Sequence, residues 1–132
     1  MVGSFFVDEN DLALGKRLAE LHAGVVYPGH PDIPEVPRGA LDDEWLPVVG
    51  VNRLVVITRD RRIRYRPAER MAWVRHDVRG FVLTGRRSQS RSDSLALLET
   101  HWGRVEALVA AEPEGPWMRS ITSSGIGVID LE

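Results

Sequence analysis

Several residue types and patterns are missing from this sequence, and each absence removes a class of protein. The 132 residues include no cysteine, so disulfide frameworks and thiolate zinc sites are excluded. No stretch approaches the roughly 20 apolar residues of a membrane-spanning helix. The first residues also lack the basic start and apolar run of a signal peptide. We therefore expect a single cytoplasmic domain over residues 1–132 with no membrane association.

Lysine is almost absent, and the charges are unevenly distributed. The chain has one lysine, Lys16, against sixteen arginines. Residues 59–91 carry eleven arginines and three acids, a net charge of +8, whereas the segments before and after them each carry −5. This basic block predicts an anionic partner for the middle of the chain. The alternative is that the arginines reflect codon bias and are simply solvated.

Apolar runs and helical periodicities alternate along the chain. The predicted strands cover residues 4–7, 25–27, 54–58, 81–83 and 117–122, and the remaining residues form a tail or an edge strand. The predicted helices begin at caps at Asn10 or Asp11, at Asp42, at Pro67, and at Ser92 or Asp93. This order favours a three-layer α/β fold with a mostly parallel central sheet of about five strands, flanked by helices.

Three further features refine this prediction. The first helix places Leu14, Leu18 and Leu21 on one face, which predicts that all three are buried. Pro47 predicts that the second helix is short or kinked. Residues 28–39 contain four prolines and two glycines, which predicts a loop rather than a helix or strand. The loop is long enough for a mobile flap or a partner-docking segment, and a variable connector is the alternative.

Acidic residues follow two of the predicted strands and open one helix. Asp8 ends the first strand, Asp60 follows the third, and Asp42 and Asp43 crowd a helix N-terminus. Ligands of such sheets bind at the carboxyl ends of the strands, so we expect these acids to converge. Clustered carboxylates repel one another unless a cation neutralises them, and hard oxygen ligands select Mg²⁺ or Mn²⁺. Glu9 alternates away from Asp8 and is not expected to be a ligand.

Each acid also has a purely structural explanation. Aspartate is common in turns, which would account for Asp8 and Asp60, and capping the helix would by itself account for Asp42 or Asp43. The four histidines show no metal-ligand spacing. A metal site beside an arginine-rich segment nevertheless points to phosphate chemistry on a nucleic acid.

Three short motifs resemble those of a known family. The segment Val7–Asn10 resembles the opening of PIN-like domains, Asp42–Leu46 looks like their second acidic site, and Val55–Asp60 is similar to their strand followed by Thr-Arg-Asp. The order and spacing match from Phe5 to about Thr84. The closest branch is the PIN-like toxins of the VapC type.

This resemblance implies a metal-dependent ribonuclease that is often the toxin of a toxin–antitoxin pair. It assigns Mg²⁺ or Mn²⁺ ligation to Asp8, to Asp42 or Asp43, and to Asp60. It also implies an RNA substrate, a cognate antitoxin that blocks the site, and a homodimer or a toxin–antitoxin hetero-oligomer.

The chain departs from the family's pattern directly after the Thr-Arg-Asp motif. PIN-like domains commonly carry a further acid there, whereas this chain has Arg61-Arg62-Ile63. We expect the arginines of this stretch to hold the RNA backbone or an acidic antitoxin segment, and they are Arg59, Arg61, Arg62 and Arg64. The missing acid also leaves room for a catalytically impaired PIN-like module that binds nucleic acid or protein.

A phospho-receiver domain is a further alternative. It shares the paired acids after strand one and a threonine after strand four, here Thr84. It also needs a lysine near the end of strand five, and the only lysine of this chain is Lys16 in the first helix. Arg119 is not an equivalent, because its planar guanidinium has a different geometry and a fixed charge.

Overall fold

The computed structural model describes residues 4–85 and 90–131, and it is built around a six-stranded sheet with the strand order β2-β1-β3-β4-β5-β6. The strands are β1 (Phe5–Val7), β2 (Val25–Val26), β3 (Val55–Thr58), β4 (Arg79–Leu83), β5 (Trp117–Thr122) and β6 (Gly125–Ile129). Neighbouring strands from β2 to β5 are parallel, and β6 pairs antiparallel with β5. The mixed, mostly parallel sheet was correctly predicted, with β6 as the edge strand that raises the count to six.

Four α-helices flank the sheet: α1 (Leu12–Leu21), α2 (Asp42–Val51), α3 (Pro67–Arg75) and α4 (Arg91–Ala111). Two short 3₁₀ helices, Glu9–Asp11 and Arg61–Tyr65, follow β1 and β3. In the described part of the chain, no helix is both long and apolar enough to span a membrane. Arg86 and Arg87 of the basic block lie outside the described residues.

Both faces of the sheet are covered, which explains why β1, β2 and the first three residues of β3 are continuous apolar runs. Successive side chains of a strand point to opposite faces, so Phe5 and Val7 pack with α1 and α4, while Phe6 packs with α2 and α3. The two largest fully buried side chains, Trp45 of α2 and Trp73 of α3, both lie on the second face. Burial on both faces fixes the ends of the parallel strands relative to one another.

Helix α2 is short, as Pro47 predicts, with ten residues that continue past the proline to Val51. Two details of the other helices differ from the predictions. The cap of α4 is Ser90, which exchanges hydrogen bonds with Asp93 in a capping box, so the predicted cap at Ser92 or Asp93 was wrong by two or three residues. Leu21 is 51% exposed rather than buried, since it is the last residue of α1.

The proline-rich segment over residues 28–39 is packed against the second face of the sheet. Ile33 and Val36 are 0% and 1% exposed and belong to the core beside α2. The backbone N–H of Gly39 donates to the Glu9 carboxylate at 2.8 Å, which ties the end of the segment to the residues after β1. The structure therefore does not support a mobile flap here, because the apolar residues between the prolines are buried.

The strand order places the ends of β1 and β3 side by side. The chain leaves β1 for β2 on one side and later returns to β3 on the other, so the carboxyl end of β1 lies at the point where the order reverses. Val7 is paired with Ile57, and Thr58 comes one residue later. Asp8 and Asp60 therefore lie at the same edge of the sheet, as predicted.

Candidate functional site

Asp8 is one of two buried acids at this edge, together with Asp11. It directly follows β1, and its side chain is shielded because the residue is only 4% exposed. One carboxylate oxygen, Oδ2, accepts a hydrogen bond from the Thr58 hydroxyl at 2.9 Å. The other oxygen, Oδ1, is buried and has no hydrogen-bond partner among the described residues. Such an unsatisfied buried oxygen is costly unless a ligand compensates for it.

The electrostatic surroundings of Asp8 also disfavour its negative charge. The pKa of Asp8 is raised to about 7, mainly by burial and in smaller part by the charges of Asp42, Asp60 and Asp11, while the hydrogen bond from Thr58 opposes the rise. Asp8 therefore lacks a positive partner within the described chain. A bound cation would supply one.

Thr58 links the acids that follow β1 and β3. Its buried hydroxyl donates to Asp8 and accepts the backbone N–H of Asp60 at 2.9 Å. The Asp60 carboxylate in turn accepts Nη1 of Arg66 at 2.9 Å and the backbone N–H of Arg62 at 3.2 Å. The Thr-Arg-Asp motif thus has a local structural role, since the threonine fixes the relative position of the two acids.

Asp42 and Asp43 occupy different environments at the start of α2. Asp42 is half-buried, and its Oδ1 accepts the indole N–H of Trp45 at 3.0 Å. Burial raises the pKa of Asp42, and the charges of Glu69 and Asp60 add to this effect. Asp43 is exposed. The structure therefore favours Asp42 over Asp43 as the acid that joins Asp8 and Asp60.

Glu69 is an acid of this site that the sequence did not reveal. It lies in the first turn of α3, where the helix dipole favours a negative charge. Its charge acts on Asp42, and its carboxylate lies 3.5 Å from Nη1 of Arg66. A further acid near Asp42 is thus supplied by Glu69, nine residues after Asp60. The only sequence signal was an acid two residues after the helix-starting Pro67.

Asp11 is a second acid that the sequence did not place at the site. It caps α1 by accepting the N–H of Leu14 at 3.1 Å, which confirms one of the two predicted caps. Its carboxylate also pairs with Nη1 of Arg59 and, at 2.8 Å, with Nε of Arg91. Burial opposes ionisation, but hydrogen bonds from Arg91 and Arg59 lower the pKa of Asp11 overall. Unlike Asp8, Asp11 is a compensated anion.

The four arginines predicted to contact nucleic acid are placed differently from one another. Arg59 pairs with Asp11. Arg64 donates from Nε to the carbonyl of Arg61 at 3.2 Å, and its guanidinium lies 4.6 Å from the centre of the Tyr65 ring. The side chain of Arg62 is 80% exposed at 3.9 Å from the Asp60 carboxylate. Arg62 is thus the member of this set that is most accessible to a ligand.

A cavity of about 440 Å³ between α2 and α3 adjoins the acids. Acidic side chains and small or aliphatic ones both line it: Asp42, Asp43, Glu69, Leu41, Leu46 and Ala72. The acids therefore face an open space of the size of a small-molecule pocket.

The donor set fits a hard divalent cation. Asp8 has an unsatisfied oxygen, and the carboxylates of Asp42 and Asp60 lie close enough for their charges to raise its pKa. In residues 4–85 and 90–131, no three carboxylate or imidazole side chains are close enough to hold an ion by themselves. Water would therefore complete the coordination shell, as is usual for Mg²⁺.

The comparisons with known proteins agree with this geometry. A family model described as PIN like domain matches residues 3–85, a range that contains Asp8, Asp42 and Asp60. No curated protein and no solved structure matches the chain. PIN-like domains are often nucleases and generally use divalent metals. Because the match covers more than half of the chain and includes the acids gathered at the sheet edge, the chain belongs to the family of PIN-like domains.

Proposed function

We propose that this PIN-like domain is a Mg²⁺- or Mn²⁺-dependent endoribonuclease. The observation that carries the proposal is the state of Asp8, which is buried, has an oxygen without a partner, and lies in the field of Asp42 and Asp60. A buried carboxylate with an unpartnered oxygen adds little to the stability of a protein, whereas a metal-dependent enzyme needs such a carboxylate to bind its ion.

The side chains would divide the work as follows. Asp8 would hold the ion together with Asp42 and Asp60, which would act in part through bound water, since no three acids of the described residues are close enough to ligate it by themselves. Thr58 would keep Asp8 and Asp60 in register through its two hydrogen bonds. A divalent ion bound there supplies polarisation of a phosphodiester and activation of a water molecule. Glu69 would add negative charge on the α3 side. Asp43, which is exposed at the cavity rim, is not needed for ligation.

The biological setting is a finer part of the proposal. We infer that the protein is the toxin component of a VapC-type toxin–antitoxin system, acts on RNA in the cytoplasm, and forms a homodimer or a hetero-oligomer with an antitoxin. The order of the three acidic motifs supports this, as does the basic segment that includes Arg61 and Arg62. A neighbouring open reading frame that encodes a protein able to abolish the cleavage would be the expected antitoxin.

A cleavage assay that compares the wild type with two variants tests the nuclease proposal. Purified protein stripped with EDTA should cleave single-stranded RNA only after Mg²⁺ or Mn²⁺ is added. Asp8→Asn should abolish cleavage, because the amide is a poor ligand for a hard cation. Glu9→Gln is the control, since this adjacent half-buried side chain can keep its hydrogen bond to Gly39. Cleavage by the folded Asp8→Asn protein at the wild-type rate would overturn the proposal.

A second candidate function is favoured by one observation: the described residues contain no group of three metal ligands close enough to hold an ion. In that case the domain would be a catalytically impaired module that binds nucleic acid or protein without metal. Mn²⁺ titration separates the two functions. Metal binding by Asp42 should perturb the fluorescence of Trp45, whose indole N–H donates to that carboxylate at 3.0 Å. No response at millimolar Mn²⁺ would favour the binding module.

A further inference from the structure

Two arginines from distant parts of the chain meet on one buried carboxylate beside the proposed metal site. The Asp11 side chain is 3% exposed and pairs with Arg59, which follows β3, and with Arg91, which begins α4. The group of three has a net charge of +1. It adjoins Asp8, since the Asp11 charge acts on that residue. The site thus has an acidic half, which suits a cation, and a basic edge, which suits an anion.

Arg91 occupies a position that is unfavourable for the stability of α4. It is the first residue of a 21-residue helix, where the positive end of the dipole disfavours a cation. The pairing with Asp11 offsets this cost. An arginine held in such a place by a buried partner indicates a role beyond helix formation.

The guanidinium of Arg91 is only partly used by the protein. Its Nε donates to Oδ1 of Asp11 at 2.8 Å, and this is its only hydrogen bond to the described residues. The side chain is 54% exposed. A guanidinium carries five N–H donors, so the Nη1 and Nη2 groups of Arg91 are available to a ligand in a direction set by Asp11.

We propose that Asp11 positions Arg91 to bind a phosphate group of the substrate strand next to the cleavage site, an inference that rests on the proposed nuclease function. The planar Nη pair suits two oxygens of one phosphate. The acids around Asp8 repel the polyanionic backbone, and Arg91, reinforced by the charge of Arg59, offsets this repulsion where the strand enters. Arg91 contacts the substrate, and Asp11 is a positioning residue.

Binding of a fluorescent single-stranded RNA in EDTA tests this role separately from cleavage. Arg91→Gln should weaken binding by about tenfold, because one charge-assisted phosphate contact is lost. It should also reduce the slope of log K against log salt by about 0.7, the value for one phosphate contact to a single strand. Arg104→Gln is the control, since it removes an exposed arginine of the same helix about 20 Å further along. It should change neither quantity.

Two further variants separate positioning from simple structural support. Asp11→Asn can still cap α1 through its side-chain oxygen but no longer holds the arginines by charge. It should weaken RNA binding severalfold while the protein stays folded. Arg91→Lys should restore the salt slope but only part of the affinity, because lysine keeps the charge without the planar donor pair. In cleavage assays, Arg91→Gln should raise KM and leave kcat within about twofold.

The outcomes distinguish this inference from the nuclease proposal. Unchanged RNA affinity and salt slope in folded Arg91→Gln would overturn the role of Arg91 even if wild-type protein cleaves RNA. Weakened binding without any metal-dependent cleavage by the wild type would support the role and reject the nuclease. If Arg91→Gln loses affinity for a polyglutamate peptide but not for RNA, the pair serves an acidic protein partner and the inference is overturned.

Discussion

Buried charges lie at both the carboxyl edge of the sheet, where the parallel strands end, and the amino edge, where they begin. The hydrogen bonds that these charged side chains make differ between the two edges. At the carboxyl edge, Asp8 keeps a buried oxygen without a partner in the described residues. At the opposite edge, Arg79 at the start of β4 is 8% exposed, and its Nη2 donates to the carbonyl of Arg53 at 2.7 Å. Arg53 in turn donates to the carbonyl of Pro113 at 2.9 Å. At the amino edge the buried arginine donates to a backbone carbonyl, although burial and the charge of Arg53 lower its pKa. At the carboxyl edge the Asp8 oxygen is left for a ligand.

The direction of the helices explains this difference. Helices α2, α3 and α4 end at the amino edge, where their carbonyl groups and negative dipole ends favour cations such as Arg53 and Arg79. Helices α2 and α3 begin at the carboxyl edge, where positive dipole ends make Asp42 and Glu69 less costly. Parallel strands with crossover helices thus produce one edge suited to structural cations and another suited to acids.

The largest expected difference between the edges is catalytic. Asp60→Asn should reduce metal-dependent RNA cleavage by about 100-fold or more, because even the loss of an outer partner of a metal ligand costs about 10–100-fold. Asp77→Asn is the matched control at the amino edge. Asp77 has a φ of 54°, a conformation that asparagine also tolerates, so its fold and activity should be unchanged. Equal losses of cleavage in Asp60→Asn and Asp77→Asn would show that the two edges do not differ in their role in catalysis.

Stability should respond at the amino edge instead. Arg79→Met should lower the free energy of unfolding by about 2–3 kcal/mol, because a buried donor is lost and the Arg53 carbonyl loses its partner. Urea denaturation measures this, with the exposed Arg75→Met as the control. Cleavage by the folded protein should be unaffected. A fall in kcat of folded Arg79→Met would show that the amino edge is not purely structural.

The pH dependence of stability should distinguish Asp8 from an ordinary acid. Its pKa is about 7 in the folded state against 3.8 ordinarily, so the folded state binds the proton more tightly. The stability that protonated Asp8 contributes is complete below about pH 4 and is lost as the pH rises through about 7. At pH 8, Asp8→Asn should therefore be a few kcal/mol more stable than wild type, since each unit of pKa shift corresponds to about 1.4 kcal/mol, with no such gain at pH 4.

Thermal unfolding with and without metal checks this expectation. At pH 8, Mn²⁺ should raise the Tm of the wild type and narrow the gap to Asp8→Asn, since an ion that binds only the folded state stabilises it. The variant should not respond to Mn²⁺. Equal stability of the two proteins at pH 8 would show that the Asp8 charge is already compensated.

The smallest expected effect concerns Glu69. Glu69→Gln should raise the Mn²⁺ concentration needed for half-maximal cleavage by about threefold to tenfold, because it removes a half-buried charge that acts on Asp42 rather than a direct ligand. The maximal rate at saturating Mn²⁺ should stay close to that of the wild type. Glu106→Gln, on the exposed side of α4, is the control. A lost maximal rate would instead make Glu69 a ligand.

Local patterns in the sequence determined much of the fold. The apolar run at residues 54–58, the alternation of strands and helices, and the acids placed directly after β1 and β3 predicted a parallel sheet with acids at its carboxyl edge. This succeeded because strand burial and helix capping depend mainly on neighbouring residues. Leu21 was misjudged because the lack of packing at a helix end outweighed the local pattern.

Only the tertiary structure decided which of these charges are compensated. Asp8 and Asp11 are three residues apart and both 4% exposed, yet one has a raised pKa and the other a lowered one. The difference arises because Asp8 lies deeper, so that burial raises its pKa strongly, and because Arg59 and Arg91, 48 and 80 residues away, reach Asp11. The sequence by itself determined that acids gather at this edge, since the strand order brings them there. The sequence did not determine which basic side chains pair with these acids, because that depends on distances between side chains that lie far apart in the chain.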